Sequence, residues 1–147
     1  RPRAEVGAGS GELTRALTGA GIQLVATDSN ASSSGAVERL SASEALERFR
    51  PSVVLGSFVP FDSGVDEAVM ACHSVQHYIV LNARIGGVFG SQALWRHPRW
   101  SAELIRPVTD WMLTRHDVWI GGYRNRVLQH GEAWHFFRHS NVPSRGV

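Results

Sequence analysis

Glu5-Val6-Gly7-Ala8-Gly9-Ser10-Gly11 is the stretch on which the reading of this chain turns, with Asp28 following a helix and a strand later. Three glycines at alternate positions allow a tight strand-to-helix turn through backbone angles that a Cβ resists. They also let the main chain approach a ligand at the start of a helix, where N–H groups have no intrahelical partner. Glu12-Leu13-Thr14-Arg15-Ala16-Leu17 supplies that helix, with apolar residues at 13, 16 and 17. Gly19-Ala20-Gly21 ends it. Ile22 to Thr27 then reads as a buried strand, and Asp28 stands at its carboxyl end. In a doubly wound sheet a carboxylate at that point can accept hydrogen bonds from ribose hydroxyls. The stretch therefore predicts a nucleotide-binding site.

The glycine spacing separates two cofactor classes. A dinucleotide fingerprint is G-x-G-x-x-G, and Glu12 occupies the place of its last glycine after Gly7 and Gly9. The chain instead reads E-x-G-x-G-x-G, which resembles motif I of the class I S-adenosylmethionine-dependent methyltransferases. The resemblance implies that Gly7, Gly9 and Gly11, with Ala8 and Ser10 between them, pack against the amino-acid part of the cofactor. Glu5 would orient that end, and Asp28, with Ser29 beside it, would hold the ribose. Ser41 and Ala42 would lie along the adenine, and Ser57 and Phe58 would close the site from the fourth strand. The implied fold is α/β: an open, doubly wound, mostly parallel seven-stranded sheet with helices on both faces and a C-terminal antiparallel hairpin. The implied ligands are S-adenosylmethionine or S-adenosylhomocysteine and an unidentified methyl acceptor. No catalytic residue is assigned.

Composition narrows the classes further. At 147 residues and 43% hydrophobic content the chain is read as a single domain over 1–147 that buries a real core. All fifteen basic residues are Arg. The absence of Lys excludes a P-loop and Schiff-base chemistry. Cys72 is the one cysteine, so neither an intrachain disulfide nor a Cys-based zinc cluster can form. No metal is expected. No apolar run reaches the roughly 20 residues that span a bilayer, so no membrane partner is expected. Arg1-Pro2-Arg3-Ala4 does not read as a signal peptide, and cytoplasm is the expected compartment.

Charge is unevenly placed. Residues 1–83 hold six Arg and nine acids, a net of −3, while 84–147 hold nine Arg, four acids and all five Trp, a net of +5. A basic, aromatic half leaves a nucleic-acid partner open but not favoured, because the Arg residues are scattered. A core role for the Trp residues is the preferred reading.

Along the chain, Val37–Leu40 is expected to be a short third strand, Ser43–Phe49 a serine-capped helix, and Ser52–Ser57 the fourth strand. Phe58-Val59-Pro60-Phe61 follows it and only loosely resembles the (Asp/Asn/Ser)-Pro-Pro-aromatic motif of amino-group methyltransferases. Helix Asp66–Cys72 and a fifth strand Ser74–Leu81 come next. His73 and His77 are candidate general bases, with a structural role preferred for each. Residues 91–102 are expected to form a substrate-facing loop, 102–114 a helix interrupted by Pro107, and Asp117–Ile120, Arg124–Leu128 and Ala133–Arg138 the last strands. The N-terminal cover usual in such methyltransferases is not seen. A fragment, a partner-completed homo-oligomer and a non-catalytic cofactor-binding module therefore stay open. So does a nicotinamide-dependent oxidoreductase fragment.

Overall fold

The first strand, β1 (Arg3–Val6), buries Ala4, Glu5 and Val6 and delivers the chain straight into the glycine turn. The computed structural model describes residues 2–32, 35–83, 90–112 and 131–139. After the turn come α1 (Glu12–Gly19), β2 (Val25–Thr27), α2 (Ala42–Phe49), β3 (Val53–Ser57) and α3 (Val65–Ala71). They are followed by β4 (His77–Ala83), α4 (Gln92–Arg96), β5 (Trp100–Leu104), α5 (Arg106–Thr109) and β6 (Gly131–Arg138). The sheet order is β2-β1-β3-β4-β6-β5. The first four strands run parallel, and β6 pairs antiparallel with both β4 and β5.

Strand alternation divides the apolar residues between two faces. Val6, Val54, Tyr78, Val80 and Phe136 share one core cluster with Ala45 and Leu46 of α2, Val69 and Met70 of α3, and Leu94 of α4. Burying each large apolar side chain contributes about 1.5–3 kcal/mol. Leu55, Ile79 and Leu81 turn the other way and, with Leu13 and Leu17 of α1 and Val108 of α5, line a groove of about 380 Å³.

The main-chain ends of α2 and α3 are satisfied by side chains. Ser41 caps α2 in a reciprocal box with Glu44, which satisfies two otherwise unpaired N–H groups. Arg138 donates from β6 to the carbonyls of Met70 and Cys72 at the end of α3 and to that of Val75. Its guanidinium also lies 4.8 Å over the Trp100 ring.

Several sequence expectations change. Seven strands were expected and six are described; Val37–Leu40 contributes only the bridge Thr27↔Glu38 beside β2. β2 is shorter than 22–27, because Ile22 is exposed and pairing begins at Val25. Ser41, and not Ser43, caps α2. Residues 91–102 are no loop: they form α4 and open β5, with Leu94 and Trp100 buried and Trp95 stacked edge-on against Trp134 and Phe136. Tertiary packing overrides a composition that looks loop-like. Nor is 102–114 one helix, since Ala102–Leu104 belongs to β5. Pro107 instead sits in the first turn of short α5, where its missing N–H costs nothing. The strands expected at Asp117–Ile120 and Arg124–Leu128 lie outside the described residues. No described helix is long and apolar enough to cross a membrane.

Candidate functional site

Gly7, Gly9 and Gly11 all adopt left-handed backbone angles, with φ of 68°, 54° and 75°. Their sequence spacing thus has a direct conformational cause. A Cβ on Gly11 would stand 2.6 Å from Val37 Cγ2, whereas one on Gly9 would meet nothing within 4 Å. Gly11 therefore closes the turn against the protein, while no protein atom stands where a side chain on Gly9 would go. The Gly9 N–H donates to Asp28 Oδ2 at 2.9 Å, and the Asn30 N–H donates to Asp28 Oδ1 at 2.8 Å. This draws the Asp28 carboxylate beside the turn while leaving each oxygen further acceptor capacity.

Glu5 sits beneath the same turn. It is 1% exposed, and the Thr14 hydroxyl on α1 donates to Glu5 Oε2. Burial pushes the Glu5 carboxyl above its ordinary range, and the hydrogen bonds from Thr14 offset part of that.

A pocket of about 590 Å³ opens at the carboxyl ends of the parallel strands. Seven of the twelve expected site residues line it: Glu5, Gly7, Ala8, Gly9 and Ser10 from the turn, and Ser57 and Phe58 from the end of β3. The other five do not. Gly11 packs toward Val37, Asp28 is bonded to the turn, and Ser29 is exposed beside it. Ser41 caps α2, and Ala42 packs against the core. Sequence reasoning missed Leu13, Leu81 and Met112 as lining residues, and took Glu12 only as a departure from a fingerprint. Leu81 was legible in principle as the β4 residue opposite Ser57. No motif marks Met112.

Phe58 holds φ at 52°, a rare angle for a bulky residue, with its N–H donating to Leu81 O at 2.7 Å. It is half-exposed, and Phe61 is more so. The two candidate histidines, His73 and His77, do not line the pocket. His77 precedes Leu81 by four residues on β4, about 13 Å at the rise of an extended strand. Its Nδ1 lies 3.0 Å from His135 Nε2, and His135 Nδ1 lies 2.8 Å from Glu103 Oε1. His73 is exposed in the turn before β4. Among the described residues no group of three or more His, Cys, Asp or Glu could hold a metal ion.

No family model matches the chain, and no curated protein does. A solved S-adenosylmethionine-dependent methyltransferase from Archaeoglobus fulgidus matches over 95% of this chain and 86% of its own, with a TM-score of 0.54 and 13% identity. The fold is that of the class I S-adenosylmethionine-dependent methyltransferases. The 23S rRNA methyltransferase ErmE is also similar, over 95% of this chain and 62% of its own, with a TM-score of 0.48 and 15% identity.

In a methyltransferase fold the pocket lies where open α/β sheets accept ligands, outside the carboxyl ends of the strands. Its volume falls in the range of small-molecule sites.

Proposed function

We propose that the chain binds S-adenosylmethionine in this pocket and transfers its methyl group to an unidentified acceptor. One observation carries the reading: the glycine turn, buried Glu5 and the end of β3 converge on a single pocket in a methyltransferase fold. Gly7 to Ser10 would take the amino-acid end, with Glu5 below it as a fixed acceptor. Asp28, already aligned by Gly9 and Asn30, would receive the ribose hydroxyls. When bound, the cofactor supplies a methyl group already activated on a cationic sulfur. The protein's part is to hold donor and acceptor in line and to exclude water, which accounts for much of the rate in such reactions. Ser57 and Phe58 stand at the pocket edge, where an acceptor would enter.

A non-catalytic, cofactor-binding module is the second reading. It is favoured by the Phe58–Phe61 loop, which departs from the amino-group motif at its first positions and carries one proline. A nicotinamide oxidoreductase is disfavoured, because Glu12 lines the pocket where a dinucleotide fingerprint needs glycine. Incubating the protein with methyl-labelled S-adenosylmethionine and a crude extract separates the first two readings. Label transferred to an extract component, and lost in Asp28→Ala, supports transfer; tight cofactor binding without label transfer supports the module.

A further inference from the structure

A polar chain crosses β4, β6 and β5, where the parallel part of the sheet meets the antiparallel part. Glu103 stands opposite His135 in the β5–β6 register, and His77 stands opposite Phe137, one step along the same face of β6. His135 Nδ1 lies 2.8 Å from Glu103 Oε1, and His135 Nε2 lies 3.0 Å from His77 Nδ1. The two rings are tilted by 31° with centroids 5.2 Å apart, which suits an N–H···N bond. Phe137 packs beside His135. The charged groups of the surrounding elements, among the described residues, stand further off. β3 offers Val53 opposite His77, and Arg3 follows on β1, about 10 Å away between backbones. α5 bonds to β6 at Ala133 and brings exposed Arg106 and Asp110, which are of opposite sign. α1 places Glu12 and Arg15 at the glycine turn, beyond the other end of the strands. His139 is bonded to Ser101 Oγ.

Counting protons fixes what this chain can hold. With the Glu103 carboxylate accepting, His135 Nδ1 carries a proton. In the neutral pair, His77 Nδ1–H donates to the His135 Nε2 lone pair. One added proton leaves the chain intact, because the facing nitrogens still hold one N–H and one lone pair, and the nearby carboxylate favours the cation. A second added proton makes both facing nitrogens donors, and two N–H groups cannot bond across 3.0 Å. We propose that Glu103, His135 and His77 form an acid-sensitive junction, which shares one added proton and rejects a second. Arrival of the second parts His77 on β4 from His135 on β6. The folded chain therefore binds that proton less readily than the unfolded chain does. The junction's contribution to stability is lost as pH falls through that step. Nothing in this depends on what the pocket binds.

The test is NMR of the imidazole ring signals in the full chain, followed from mildly alkaline to acidic pH. The expected result is two shared steps, each moving both His77 and His135, with the second proton bound about tenfold or more weakly than independent rings would bind it. In Glu103→Gln, an exposed position where substitution spares the fold, the first proton is bound severalfold less tightly. Urea melts at neutral and acidic pH supply a second readout. The wild-type protein loses stability across the second step, and His77→Leu lacks that loss. Glu5 and Asp66, which act in the opposite sense, cancel in this comparison. Independent single-step titration of the two rings, or a first step unmoved by Glu103→Gln, overturns the proposal. The wild-type titration decides the matter even where His77→Leu fails to fold.

Discussion

Gly11 and Gly9 look equivalent in the motif but are held by different physics. Both adopt left-handed angles, yet only Gly11 has a side chain, Val37, where its Cβ would go. Gly9→Ala is expected to cost about 1–2 kcal/mol, the penalty for a Cβ at that angle. Gly11→Ala adds overpacking and should cost about 1–3 kcal/mol more. Urea denaturation of the two variants checks the order; equal losses would contradict it. Glu5 makes a pH prediction. Its folded carboxyl is raised above the ordinary 4.5, with burial as the largest cause. The folded state therefore binds the proton more readily than the unfolded chain does. Its contribution to stability falls as pH rises from 4.5 through the raised value. Glu5→Gln should remove that part of the slope and leave the part due to Asp66, which is raised in the same sense by burial. Urea melts across mildly acidic to neutral pH show this directly.

At the scale of elements, a buried polar network joins α3, β4 and the start of α4. The Tyr78 hydroxyl donates to Asp66 Oδ1 at 2.8 Å, and the Ser91 N–H donates to Asp66 Oδ2 at 2.8 Å. Burial pushes the Tyr78 hydroxyl well above its usual range, with the nearby Asp66 charge adding to the shift, so it stays a donor at neutral pH. Tyr78→Phe leaves a buried carboxylate oxygen without that partner and should cost about 1–3 kcal/mol in urea denaturation. A neutral substitution would show that water replaces the bond. The network was invisible in the sequence, because Asp66, Tyr78 and Ser91 meet only through tertiary contact. The elements that could be read share a local signature. The glycine turn, α1 and β3 announce themselves through positive-φ glycines, helical spacing and an apolar run. Residues 91–104 do not, since Trp95 and Trp100 acquire their partners from β6.

For the whole molecule, a mostly parallel α/β sheet was legible through the resemblance carried by the glycine turn, whereas the order β2-β1-β3-β4-β6-β5 comes from tertiary pairing that no motif marks. The third strand was over-read: Val37–Leu40 is apolar only at its two ends, and only Glu38 bridges to β2. The turn half of the pocket was equally legible. The opposite wall was not, because Leu81 and Met112 reach it through sheet register and chain return and belong to no motif. On the proposed reading, this wall and this turn together hold S-adenosylmethionine. Calorimetric titration with S-adenosylhomocysteine, run beside Asp28→Ala, tests it most directly. Micromolar binding to the wild-type protein is expected, weakened about tenfold or more when the proposed ribose acceptor is removed. Absence of binding to folded wild-type protein, or affinity unchanged in Asp28→Ala, would contradict it.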